Sequence, residues 1–146
     1  MFRTQRNKGF TLVEILIVVI ILGILAAIVI PQFTNASTDA RRNSLTSQLQ
    51  TLRSQLELYK LQHRDTAPTL ANFWTAMTTK TNESGAAPTG TEDSFGPYLQ
   101  NVSVNPLTNQ STVAATASAT TGWVYDATAG TIRGVNKAGV VSDDGE

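Results

Sequence analysis

Lys8-Gly9-Phe10-Thr11-Leu12-Val13-Glu14 opens an apolar run that extends to Phe33, and the reading of this junction decides the fold. From Phe10 to Phe33 the only ionisable side chain is Glu14, and the next charge is Asp39. A helix rising ~1.5 Å per residue would span roughly 36 Å over that run, enough to cross a hydrocarbon core of ~30 Å. Its heart, Ile15-Leu16-Ile17-Val18-Val19-Ile20-Ile21-Leu22, is apolar on every face and reads as lipid-embedded rather than amphipathic. Upstream stand Arg3, Arg6 and Lys8, with no acidic residue among them. Basic flanks stay on the cytoplasmic side, which predicts a cytoplasmic N-terminus and translocation of everything after Pro31.

Three readings fit such an N-terminus. A cleaved signal peptide shares the basic start, and Thr34-Asn35-Ala36 would pass as its cleavage site. Its apolar region runs only about 7–15 residues, however, and should carry no carboxylate. A plain signal anchor accounts for the length but gives no reason for Gly9 or Glu14. The third reading accounts for every part. Lys8-Gly9-Phe10-Thr11-Leu12-Val13-Glu14, followed by Gly23 and Pro31, closely resembles type IV pilins and the pseudopilins of type II secretion.

The resemblance implies that a membrane aspartyl peptidase, the prepilin peptidase, cuts between Gly9 and Phe10 and methylates the new amine of Phe10. Gly9 suits a protease cleft because it has no side chain and readily adopts extended backbone. Glu14 has two readings. A carboxylate in a helix's first turn is favoured by the macrodipole at ~0.3–1 kcal/mol. An acid at the bilayer centre costs roughly 2.5–3.5 kcal/mol, less near the interface, and so calls for a partner. After cleavage the Phe10 amine lies one turn away, and the same amine on a neighbouring subunit is a second candidate. Gly23 and Pro31 interrupt the helix, and proline costs ~3 kcal/mol in a helix interior. A kink is the ordinary outcome in membrane proteins. The resemblance adds local unwinding between Gly23 and Pro31 within a filament.

Beyond the membrane, Leu45, Leu49, Leu52, Leu56, Tyr59 and His63 step by fours and threes along one helix face. Arg41, Arg42, Arg53, Glu57 and Lys60 lie off that stripe, which is expected to pack on the chain's own globular domain. His63 continues the apolar face and reads as a packing histidine. Leu58 and Leu61 lie outside the stripe and are candidates for contact with a neighbouring subunit. Pro68 is expected to end this helix, with Thr69 capping a short second one through Leu70, Phe73, Trp74 and Met77.

Residues 80–96 read as a surface loop, and Val102 and Val104 as a short strand. The Ser/Thr/Ala tract from Ser111 to Thr121 is too poor in bulky residues to anchor a core. Trp123-Val124-Tyr125-Asp126 and Thr131-Ile132-Arg133-Gly134-Val135 predict a β-hairpin turning at Gly130. The acidic tail from Ser142 to Glu146 reads as loose.

The expected fold is thus α+β and pilin-like, a long N-terminal helix packed on a small antiparallel sheet. It divides into a cleaved leader (1–9), an assembly and membrane helix (10–33), its amphipathic continuation (34–65) and a periplasmic domain (66–146). A domain this small needs the long helix as a second layer. With no cysteine, it has no disulfide framework. Removing the leader leaves eight basic residues against 11 acidic ones, a balance of −3 that argues against nucleic-acid binding.

A lone histidine on an apolar stripe and the absence of cysteine exclude the usual nucleophile pairs, and no phosphate loop or zinc spacing appears. The chain therefore reads as a structural subunit with no catalytic residues and no cofactor. Four Asn-x-Ser triplets, starting at Asn35, Asn82, Asn101 and Asn109, are what a Ser/Asn-rich chain produces by chance.

Gly96-Pro97-Tyr98-Leu99 through Asn105-Pro106, and Gly122-Trp123-Val124-Tyr125 with Gly130, resemble segments of the major pseudopilins. Their Asp-Pro-Trp-Gly motif is replaced here by Asn105-Pro106-Leu107-Thr108, and their acidic calcium loop is not recognisable. Asp143, Asp144 and Glu146 would make only a weak oxygen site for calcium against a frayed tail. The resemblance implies a homopolymer joined through N-terminal helices, working with an inner-membrane secretion platform and minor pseudopilins to export proteins. A type IV or competence pilus subunit, and a monomeric membrane-anchored binding domain, are the alternatives.

Overall fold

A computed structural model of the chain describes residues 9–90 and 94–143. Its elements are helix α1 (Leu12–Gln62), a 3-10 turn (Leu70–Asn72), helix α2 (Phe73–Thr78) and strands β1 (Val113–Ala114), β2 (Trp123–Asp126) and β3 (Thr131–Gly134). The chain divides into two compact units, Met1–Thr38 and Asp39–Glu146.

In the first unit, α1 is apolar and uncovered. Every described side chain up to Thr38 is exposed, and the most apolar 18-residue window has a mean hydropathy of 3.3. The α1 helix continues past both Gly23 and Pro31. Near the proline, the Thr34 hydroxyl donates to Ile30 O at 3.1 Å, a back-bond to the preceding turn.

In the second unit, the expected stripe is the wall of the core. Leu45, Leu49, Leu52, Leu56 and Tyr59 are buried, as are Phe73, Met77, Trp123, Tyr125 and Ile132, which form one cluster with them. Burying a leucine fully contributes about 1.5–3 kcal/mol, so this seam holds the helix to the domain. His63 closes the stripe. Its ring stacks on Tyr59 with centroids 3.7 Å apart, and both nitrogens are bonded, Nδ1 to Tyr59 O at 2.8 Å and Nε2 to Thr81 Oγ1 at 2.9 Å. A carbonyl only accepts, so Nδ1 carries the proton and, in the neutral ring, Nε2 accepts from the threonine hydroxyl.

The sheet has order β1-β2-β3, with β1 parallel and β3 antiparallel to β2. Trp123 and Tyr125 of β2 face the core, Val124 and Asp126 face outward, and Ile132 of β3 pairs with Tyr125. The expected hairpin is present. Asp126 Oδ1 accepts from the Thr128 and Ala129 amides at 2.8 and 3.0 Å, and Gly130 takes a φ of +61° that a side chain would resist.

Asn105 joins the irregular segment to the sheet. Wholly buried, it donates from Nδ2 to Gly122 O at 2.7 Å and to Val135 O at 2.8 Å. Its Oδ1 accepts from the Leu107 amide at 2.8 Å, so the carboxamide works as donor and acceptor at once. An aspartate could not make both donations while ionised, which gives the departure from Asp-Pro-Trp-Gly a local structural use.

Several expectations are corrected. The helix ends at Gln62, ahead of Pro68, because Arg64 (φ 54°) and Asp65 (φ 60°) turn left-handed. The Asp65 amide then reaches Lys60 O at 2.8 Å, the terminating pattern usually built on glycine. Thr69 precedes the 3-10 turn, but its side chain forms no cap. Val102 and Val104 form no strand; both are over 40% exposed, and no neighbouring strand pairs with them. The strand instead comes from the Ser/Thr/Ala tract, where β1 is held by the Trp123 amide donating to Thr112 O at 2.9 Å. Asp143 is not loose: its Oδ2 sits 3.1 Å from Arg53 and 3.3 Å from Arg133. The remaining tail acids, Asp144 and Glu146, lie outside the described residues, as does the leader with Arg3, Arg6 and Lys8.

Candidate assembly site at the head of the long helix

The head of α1 is built by two residues three apart. Thr11, immediately before Leu12, accepts a hydrogen bond on its hydroxyl from the Glu14 amide at 3.2 Å. Glu14 Oε2 reaches back to accept from the Thr11 amide at 2.9 Å and from the Thr11 hydroxyl at 2.8 Å. This is a reciprocal capping box, satisfying backbone donors that a helix start leaves without partners. The sequence reading missed it, although Thr-x-x-Glu ahead of an apolar run is its signature.

Both bonds to the carboxylate use Oε2. Among the described residues Oε1 has no partner, and an ionised carboxylate has room for about four hydrogen bonds. Capping therefore occupies half of the group and leaves the other half facing outward.

Gly9 and Phe10 precede the helix without regular structure, and Phe10 is 83% exposed. The Gly9–Phe10 bond thus lies in accessible backbone just outside the first turn. The structure gathers Gly9, Phe10, Thr11 and Glu14 at one end of α1, whereas Gly23 and Pro31 sit further along the same helix. No group of three His, Cys, Asp or Glu side chains that could hold a metal occurs among the described residues. Asp143, from the expected oxygen site, is instead shared by two arginines.

The family description "Prokaryotic N-terminal methylation motif" matches residues 4–30, the stretch that contains this site. Type II secretion system core protein G of Klebsiella pneumoniae is 42% identical over 59 residues, 40% of this chain and 42% of that protein. Its namesake in Klebsiella michiganensis is 38% identical over 78 residues, 53% of this chain and 54% of the relative. In these two the match spans about half of the relative's length. The namesake in Aeromonas hydrophila extends further, 31% identical over 105 residues, 72% of this chain and 71% of the relative. This chain belongs to the type II secretion core protein G family.

No solved structure gives a significant match. Core protein G is a family of structural pseudopilins, and the apolar α1 makes this member a membrane-anchored protein of the cell envelope. The pilin-like α+β architecture expected from the N-terminal motif is the architecture observed.

Proposed function

We propose that this chain is the repeating structural subunit of a type II secretion pseudopilus, a periplasmic filament that drives proteins across the outer membrane. The observation that carries this reading is the uncovered apolar run from Leu12 to Phe33, headed by a single carboxylate. In a filament, neighbouring helices cover that run once it leaves the lipid. Prepilin peptidase cuts after Gly9, and Phe10 becomes the methylated first residue. The N-terminus faces the cytoplasm and the domain the periplasm, as the basic leader favours.

Glu14 then serves two purposes. Oε2 keeps the helix capped through Thr11, while Oε1 remains open to the cationic amine of Phe10, its own or an incoming neighbour's. A charge-assisted bond at this depth is strong because water is scarce. The pair therefore selects the register in which subunits join. An inner-membrane platform and minor pseudopilins complete the machine, and catalysis, a cofactor and calcium have no part in this reading. The engagement of Asp143 by Arg53 and Arg133 supports leaving calcium out.

The test is mass spectrometry of the mature N-terminus in cells that express prepilin peptidase, with electron microscopy after overexpression. A methylated Phe10 terminus and filaments are expected. A different mature terminus, or a chain that never polymerises, would overturn the proposal.

A further inference from the structure

The end of the second unit at which α1 enters it is cationic. Strand β3 runs back along α1, from Gly130, where a Cβ would stand 3.3 Å from the Lys60 side chain, to Gly134, where one would stand 3.0 Å from that of Leu45. Past Gly134 the chain doubles back through the Val135–Val141 bridge, around a turn in which the Asn136 amide donates to Val140 O at 2.9 Å. Asn105 fastens a second loop to this end by donating to Val135 O, and Arg41 reaches that loop by donating to Pro106 O at 3.0 Å. Arg41, Arg42 and Lys137 are thereby brought to one end of the unit. Residues 39–50, 100–110 and 134–142, which build it, contain a single acid, Asp39. Three valines accompany the cations: Val102, Val104 and Val140 are 41–57% exposed. At the far end, by contrast, Lys60 and Arg64 are paired with Glu57 and Glu83.

The place of these residues in the chain says what they meet. Arg41 follows Phe33, the last residue of the apolar run, by eight residues, which reach at most ~29 Å even when fully extended. A membrane-anchored chain therefore holds this end near the headgroups at all times, and a tethered surface needs little intrinsic affinity. Cations beside small apolar side chains suit such a surface. The charges are drawn to anionic headgroups, while the valines enter the boundary with the acyl chains.

We propose that this end of the domain docks on the surface of the membrane that anchors the chain, with Arg41, Arg42 and Lys137 meeting anionic phospholipid headgroups and Val140 entering the interface. The proposal rests on the membrane-anchored reading of α1 and is separate from polymerisation.

The test reconstitutes the full-length chain, one copy per nanodisc, in phosphatidylcholine alone or with a third of phosphatidylglycerol. Because the chain has no cysteine, Ala138→Cys places a single fluorophore on the turn and Ala129→Cys places one at the far end, both at exposed positions. Quenching by lipid spin-labelled at the headgroup is expected on the turn in the anionic discs alone, and not at the far end. Lys137→Gln should weaken docking about fivefold. The triple variant Arg41→Gln/Arg42→Gln/Lys137→Gln should abolish it, as should high salt. Lys137→Gln carries the test if the arginine changes disturb folding, since Lys137 is an exposed turn residue. Equal quenching of the turn in the two lipids, or unchanged quenching in a folded Lys137→Gln chain, would overturn the proposal. No quenching of the turn in a chain that co-purifies with the discs would overturn docking alone. A chain that does not enter the discs would overturn the anchored reading and the docking with it.

Discussion

Thr11 and Glu14 cap the long helix reciprocally, each side chain accepting the other's backbone amide, at 2.9 Å for the Glu14 oxygen and 3.2 Å for the Thr11 hydroxyl. Capping and charge are therefore two separable properties of Glu14. Glutamine also completes a capping box, so Glu14→Gln keeps the helix start while removing the negative charge. Thr11→Ala does the converse, costing the helix ~1 kcal/mol but sparing the carboxylate. If Glu14 recruits an amine, Glu14→Gln should be cleaved and inserted yet fail to enter filaments, while Thr11→Ala assembles. Filament yield by shearing and sedimentation, with cleavage followed by mass spectrometry, separates the two. Normal filaments from Glu14→Gln would leave capping as the carboxylate's whole task.

Asn105 gives a stability prediction. Asn105→Ala strands two buried carbonyls, Gly122 O and Val135 O, and frees the Leu107 amide. The expected loss is about 2–5 kcal/mol, read as a lower midpoint of denaturant unfolding by tryptophan fluorescence. Asn105→Asp should be similarly harmful at neutral pH, because a carboxylate would face two carbonyl oxygens. Protonation restores one donor, so that acid's folded pKa lies above its unfolded value. Its stability is then best in acid and declines as pH rises through the folded pKa.

Tyr98 predicts an alkaline limit. Burial, with a smaller contribution from Tyr59, pushes its phenol up to about 12, and its hydroxyl donates to Gln62 Oε1 at 2.6 Å. The unfolded phenol ionises near ~10. Between those values the unfolded state has lost the proton and the folded state retains it, so stability falls as pH rises. Burial raises Tyr125 in the same direction, its hydroxyl donating to Pro68 O at 2.8 Å. Unfolding midpoints measured from pH 8 to 12 should decline above ~10, less steeply in Tyr98→Phe.

The shared contact of Asp143 with Arg53 and Arg133 is exposed to solvent and predicts a small, salt-sensitive effect. Side chains there are 38–52% exposed. Asp143→Asn should cost less than about 1 kcal/mol, and the difference from the parent chain should shrink in high salt. Thermal melts at two salt concentrations check it.

The sequence was most legible where spacing alone sets the environment. A run apolar on every face must be covered by lipid or by protein, and leucines at threes and fours must share a helix side, so the apolar helix and the core stripe from Leu45 to Tyr59 were both readable. The hairpin was readable because Asp126 and Gly130 carry local turn chemistry. What escaped depends on partners distant in the chain. Val102 and Val104 alternate like a strand but meet none, whereas Val113 and Ala114, in a poor context, pair with Trp123 and Val124. The left-handed end at Arg64 was hidden because an arginine occupies a place that glycine usually takes. At the candidate assembly site, Gly9, Phe10 and Glu14 stood out by motif. Thr11 did not, since its role appears only once the helix start is fixed.

The leucine stripe has a mechanical consequence. In the second unit α1 is both the element through which a pull enters the domain and one wall of the core. Tension arriving along that helix is therefore met by Leu45, Leu49, Leu52, Leu56 and Tyr59 together, in shear against Trp123, Tyr125 and Ile132. Contacts loaded in parallel resist as a group, whereas a domain hung from a terminal strand would yield one contact at a time.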